Sequence, residues 1–186
     1  MATKTSGRIF DMVVSYLAGD SFSSMLTPPS SMDRSTLAEV GNELSIDYTV
    51  PPALCRESKD GSSHFTVSAT LALLDDFSSY ALMMQDRNHR PGVSVTLNTE
   101  IIRKCQAGDK IKLVSRCDKI GKSIAFCSME LRGVDGELLA RGKHIKYVKM
   151  GFLWDLLTSA FFFPIVLTIM EYMMKSKKSI YLMFYY

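Results

Sequence analysis

The chain has 186 residues, of which 47% are apolar, enough for one domain with a proper core rather than a disordered chain. Its formal charge of +3 is too small an excess to argue for nucleic acid, and it suits an anionic small molecule or an anionic membrane surface. Three scattered histidines, His64, His89 and His144, outline no histidine metal site. The four cysteines, Cys55, Cys105, Cys117 and Cys127, form no CxxC and follow no clear secretory signal. They read as reduced thiols of an intracellular protein, cytoplasmic or mitochondrial.

The first 26 residues are weakly amphipathic, with Ile9, Val13, Val14 and Leu17 at near-helical spacing. Lys4 and Arg8 are basic, but Asp11 and Asp20 argue against a mitochondrial presequence, so a packing helix is expected. Residues 27–35, TPPSSMDRS, read as a linker. The domain is expected from residue 36 to about 150. Leu44, Ile46, Tyr48 and Val50 alternate with polar neighbours as in a strand, and Pro51-Pro52 ends it. RESKDGSS, residues 56–63, is a polar loop.

A core helix is expected from Thr66 to Gln85. Val67, Leu71, Leu74, Ser78 and Ala81 fall on one stripe, while Leu73, Phe77, Tyr80 and Met84 make the other side apolar too. Such a helix is wrapped by other structure. At 100° per residue Asp75 flanks the first stripe and Asp76 points away, so Asp75 should be the less hydrated of the two. After Pro91-Gly92 four strands are expected, Val93–Ile102, Lys110–Ile120, Ser123–Arg132 and Leu138–Val148, separated by Gly108-Asp109, Gly121-Lys122 and Asp135-Gly136. The order implies an α+β domain with an antiparallel sheet wrapped on one long helix.

Residues 151–186 change character. The run LLTSAFFFPIVLTIM, residues 156–170, has no charge but is short of the roughly 20 residues that span a bilayer, and Pro164 interrupts it. Lys175, Lys177 and Lys178 follow. Two expectations stand: a membrane-associated tail, or a helix packed on the domain or a partner.

Five pieces occur in order over about 105 residues: LLDDFSSYAL, RPGVSVTLNTE, AGDKI, IGKSIAFCSMELR and DGELLARGKHIKYV. Together they resemble the hotdog-fold acyl-CoA thioesterases of the PaaI and acyl-coenzyme A thioesterase 13 type. The resemblance implies a sheet wrapped around a central helix, dimers or dimers of dimers with sites at the dimer interface, and acyl-CoA as substrate. No separate cofactor is implied, since coenzyme A is part of that substrate. Asp75 stands at the family's catalytic carboxylate, the general base on water. Ser94 stands at the serine that places that water, facing the site from the neighbouring subunit. The family's His-Gly-Gly at the helix start is here Thr66-Val67-Ser68, with His64 two residues earlier, and an upstream Asn or Gln falls on Asp60. The N–H groups of Val67 and Ser68 would still polarise the thioester carbonyl. The acyl chain would lie in an apolar groove beside the helix. For the coenzyme A phosphates, Lys119, Gly121, Lys122 and Ser123 of the IGKS turn are the first candidates, with Arg103. The rival reading is an acyl-CoA or lipid-binding hotdog protein with little turnover, tethered to membrane by its tail.

Overall fold

The computed structural model describes residues 30–149, together with 7, 9–11, 13–14, 25–28 and 168. The tail expected to meet a membrane lies outside the described residues, apart from Thr168. No helix among the described residues is long and apolar enough to cross a membrane.

Eight strands and one long helix make the domain: β1 Met32–Val40, β2 Glu43–Thr49, β3 Cys55–Glu57, β4 Ser63–Phe65, α1 Val67–Gln85, β5 Val93–Ile101, β6 Lys110–Ile120, β7 Ile124–Gly133 and β8 Leu138–Tyr147. Six strands form one antiparallel sheet in the order β1-β2-β6-β7-β8-β5, and β3 with β4 makes a separate hairpin. Helix α1 packs on the inner face against β6 and β7 and also reaches β5 and β8.

The inner face follows the period-2 rule of strands. Leu44, Ile46 and Tyr48 of β2, Ile111 and Leu113 of β6, and Ala125, Cys127, Met129 and Leu131 of β7 are buried. From Leu73 to Met84 the helix is buried all round except at Asp75 and Asp76, as the two apolar sides imply. Its first turn is different: Val67 is 52% exposed. Thr66 caps that turn, its hydroxyl accepting from the Ala69 N–H at 3.2 Å.

Strand β1 corrects the expected linker, since the ladder starts at Met32 and the chain ahead of it is already packed. Phe10, Val13 and Leu26 are buried, with Phe10 edge-on to Tyr80 at 5.8 Å. The N-terminal segment thus joins the core through Phe10, Val13, Val14 and Leu26, while Asp11 and Met25 stay exposed.

Candidate active site

Asp75 sits on α1 one turn before the fully buried half of the helix. Its side chain remains 39% exposed. Three side chains from the sheet meet its Oδ1. The Ser94 hydroxyl donates to it at 3.2 Å, Lys146 Nζ donates at 3.1 Å, and His144 Nδ1 lies at 3.4 Å. Among the described residues Oδ2 makes no such contact, which leaves that oxygen for water.

The sheet register explains the convergence. Ser94 of β5 pairs with Lys146 of β8, whereas Thr96 pairs with Ile145, so Val95 is an extra residue in β5. The bulge turns Ser94 onto the inner face beside Asp75. The resemblance placed Ser94 across a subunit boundary from its carboxylate; here both belong to the same chain.

His144 and Lys146 occupy inner positions of β8 and are buried, with exposures of 0% and 1%. The Ser78 hydroxyl donates to the Asp75 backbone carbonyl at 2.7 Å, and His144 Nδ1 lies 2.7 Å from that same hydroxyl. With the serine proton on the carbonyl, the ring Nδ1 must carry the hydrogen. Burial, and then the charge of Lys146, push the imidazole down to about 4 against the pull of Asp75, so the ring is neutral near pH 7. Sequence reasoning gave neither His144 nor Lys146 a place in the site. Their signal is the phase of β8 against β7, where Cys127 pairs with His144 and Ala125 with Lys146.

Val67 and Ser68 lie eight and seven residues before Asp75, about 11 Å along the axis. Their exposed N–H groups therefore cannot serve a water on Asp75 of the same chain. His64 does not join the site either: its Nε2 is 2.7 Å from Ser62, whose hydroxyl donates to Asp60.

The phosphate candidates separate. Ser94, Lys146, Ala125 and Ile120 stand in one row across four strands, which puts the β6–β7 turn about 14 Å from Ser94. A cleft of about 580 Å³ lies there, lined by Gln85, Asp86, Arg87, Arg90, Gly121 and Lys122. Lys119 and Lys122 are exposed. The Gly121 N–H is not open to phosphate, because it donates to the Ile124 carbonyl at 2.9 Å, and Arg90 donates to the carbonyls of Gly121 and Lys122. Arg103 lies beyond the other end of the sheet, a β6 length or roughly 33 Å away. It is paired there with Glu137 at 2.5 Å, so it does not share a site with Lys122.

Residues 67–140 match the thioesterase superfamily model. Mouse acyl-coenzyme A thioesterase 13 is 36% identical over 92 residues, 49% of this chain and 64% of the relative, and the human protein is 35% identical over 89 residues, 47% and 61%. The chain thus spans somewhat under two thirds of the curated relatives it matches. Mouse thioesterase superfamily member 2 superposes with a TM-score of 0.60 at 26% identity, covering 79% of this chain and 98% of that one. The E. coli PaaI protein superposes at 0.59 and 15% identity, covering 78% and 96%. The fold is the hotdog fold, an antiparallel sheet wrapped on one long helix, as the resemblance implied.

Proposed function

We propose that the chain hydrolyses acyl-CoA thioesters to free acid and coenzyme A, with Asp75 as general base. One observation carries the reading. The carboxylate at the superfamily position is tied down through Oδ1 by Ser94 and Lys146, while Oδ2 stays open at a partly exposed surface. The hydroxyl proton of Ser94 is committed to Asp75 and one of its lone pairs faces Lys146 at 3.5 Å, so a remaining lone pair can accept from water. Water held between Ser94 Oγ and Asp75 Oδ2 gives its proton to Oδ2 as its oxygen attacks the thioester carbon. The carbonyl oxygen gains the negative charge. Collapse re-forms the carbonyl, breaks the carbon–sulfur bond and expels the thiolate, which takes up the proton from Asp75. A thiol of ordinary pKa about 8.5 leaves readily, so one carboxylate base suffices.

The oxyanion donors, the N–H groups of Val67 and Ser68, would come from a second copy of the chain. The 11 Å gap within one copy supports this. So does strand β5, a sheet edge that exposes Val93 at 71% and Val95 at 58%. Lys119, Lys122 and Ser123 would meet the phosphates at the mouth of the cleft, and an apolar groove beside α1 would take the acyl chain.

The acyl-CoA-binding reading with little turnover draws on the Val67 side chain, which stands at the helix start where relatives' glycines would let a carbonyl approach. Steady-state release of free thiol from short, medium and long acyl-CoA separates the two. Turnover with saturation on at least one chain length is expected. Binding without turnover on all of them would sink the hydrolase reading.

A further inference from the structure

Lys146 stands at a core position, with its side chain 2% exposed, on a largely apolar face that it shares with the buried His144. Burying an ammonium costs free energy unless it is paired, and an apolar side chain of similar volume is often at least as stable there. Stability of the core alone therefore does not call for a lysine at this position. Its two polar contacts are the two groups of the proposed chemistry, Asp75 Oδ1 at 3.1 Å and Ser94 Oγ at 3.5 Å. Its stem is held as closely as its head. A Cβ on Gly92 would lie 2.8 Å from Lys146 Cβ, 3.0 Å from its Cδ and 3.1 Å from a Leu82 methyl. The glycine of the Pro91-Gly92 entry to β5 thus leaves the space in which the lysine stem lies.

We propose that Lys146 is a positioning residue of the hydrolytic site, seated by Gly92. It ties down Oδ1 of Asp75 so that Oδ2 faces the water, and it fixes the Ser94 hydroxyl with its proton on Asp75. This rests on the thioesterase reading. The groups facing the Asp75 carboxylate are Lys146 and His144 from β8 and Ser94 from β5, with Asp76 its neighbour on α1. Of these, Lys146 is the cation in direct contact with Asp75, and His144 is neutral near pH 7.

The test uses the full chain with thiol-release kinetics and thermal melts. The variants are Lys146→Met, Gly92→Ala, Asp75→Asn and Asp75→Asn/Lys146→Met. Lys146→Met should lower kcat about 10- to 100-fold and change KM less than about threefold. In the Asp75→Asn background the same change should cost no further activity, since the lysine acts through the carboxylate. Asp75→Asn should melt below wild type, because it strands a buried ammonium, and adding Lys146→Met should recover part of the loss. Should Lys146→Met fail to fold, Gly92→Ala decides, with a fall in kcat and little change in KM expected. Wild-type kcat in the folded variant would overturn the proposal, as would a full additional loss in the Asp75→Asn background. A wild type silent on every acyl-CoA would instead overturn the thioesterase reading, and the melts, which need no turnover, would still report whether Asp75 and Lys146 are paired.

Discussion

Acid will loosen the fold through His144. The imidazole is fully buried, its Nδ1 hydrogen is engaged with Ser78, and its Nε2 has no hydrogen-bond partner among the described residues. Protonation would put a second N–H into that unpartnered place, beside the Lys146 ammonium. The folded ring therefore resists the proton down to about 4, against an ordinary 6.5. Between those values the unfolded chain binds more protons than the folded one, so stability falls as pH falls through that window and is intact above it. A gap of about 2.5 pH units at 1.36 kcal/mol each corresponds to about 3.4 kcal/mol, and solvent reaching the site by way of Asp75 reduces the expected loss to about 2 kcal/mol. Burial pushes the Asp86 carboxyl up, but hydrogen bonds from Arg90 outweigh it and hold the group below its ordinary 3.8, so its own loss falls at still lower pH. Urea unfolding of wild type and His144→Asn at pH 7.5, 6, 5 and 4.2 reads the effect. The variant starts less stable from lost packing, and the difference from wild type narrows by about 2 kcal/mol toward pH 4.2. Parallel pH curves for the two proteins would refute the reasoning.

Other outcomes follow from the same geometry. Ser94→Ala removes one acceptor for the water, and kcat should fall about 5- to 30-fold with KM nearly unchanged; a change confined to KM would show that the serine only binds substrate. Lys122→Ala should raise KM for acyl-CoA about 3- to 10-fold, whereas Arg103→Ala, at the other end of the sheet, should leave it alone. The reverse pattern would relocate the phosphate site. In the native protein a thiol reagent should modify Cys55 well before the others. Cys105, Cys117 and Cys127 are buried, and burial pushes the Cys105 thiol up to about 11. Rapid native reaction at several thiols would contradict that burial.

The parts of the fold with strong period are legible in the sequence. Helix α1 begins one residue after the expected start, with Thr66 as its cap, and β5 to β8 fall within a residue or two of their expected ends. Strand β1 was hidden for a physical reason. It is an edge strand whose only buried positions are Met32 and Leu37, five residues apart across an irregular register, so it shows no alternation, and the prolines before it read as a linker. Asp75 and Ser94 were readable through the motifs around them. His144 and Lys146 were not, because β8 runs against the usual code. The apolar Tyr147 points outward at 44% exposure while its polar neighbours His144 and Lys146 point in. A residue-by-residue reading takes the apolar set as the buried face. Only the pairing with β7 sets the phase correctly. The bulge at Val95 was equally silent, since nothing local marks which residue of VSVTL is the extra one.

Free-thiol release by wild type beside Asp75→Asn, on the chain length wild type prefers, tests the central claim most directly. Asparagine keeps the shape and removes the base, so kcat should fall by about 10² to 10⁴ with acyl-CoA binding retained. An Asp75→Asn protein that turns over within a few-fold of wild type would contradict the assignment of Asp75 as the base.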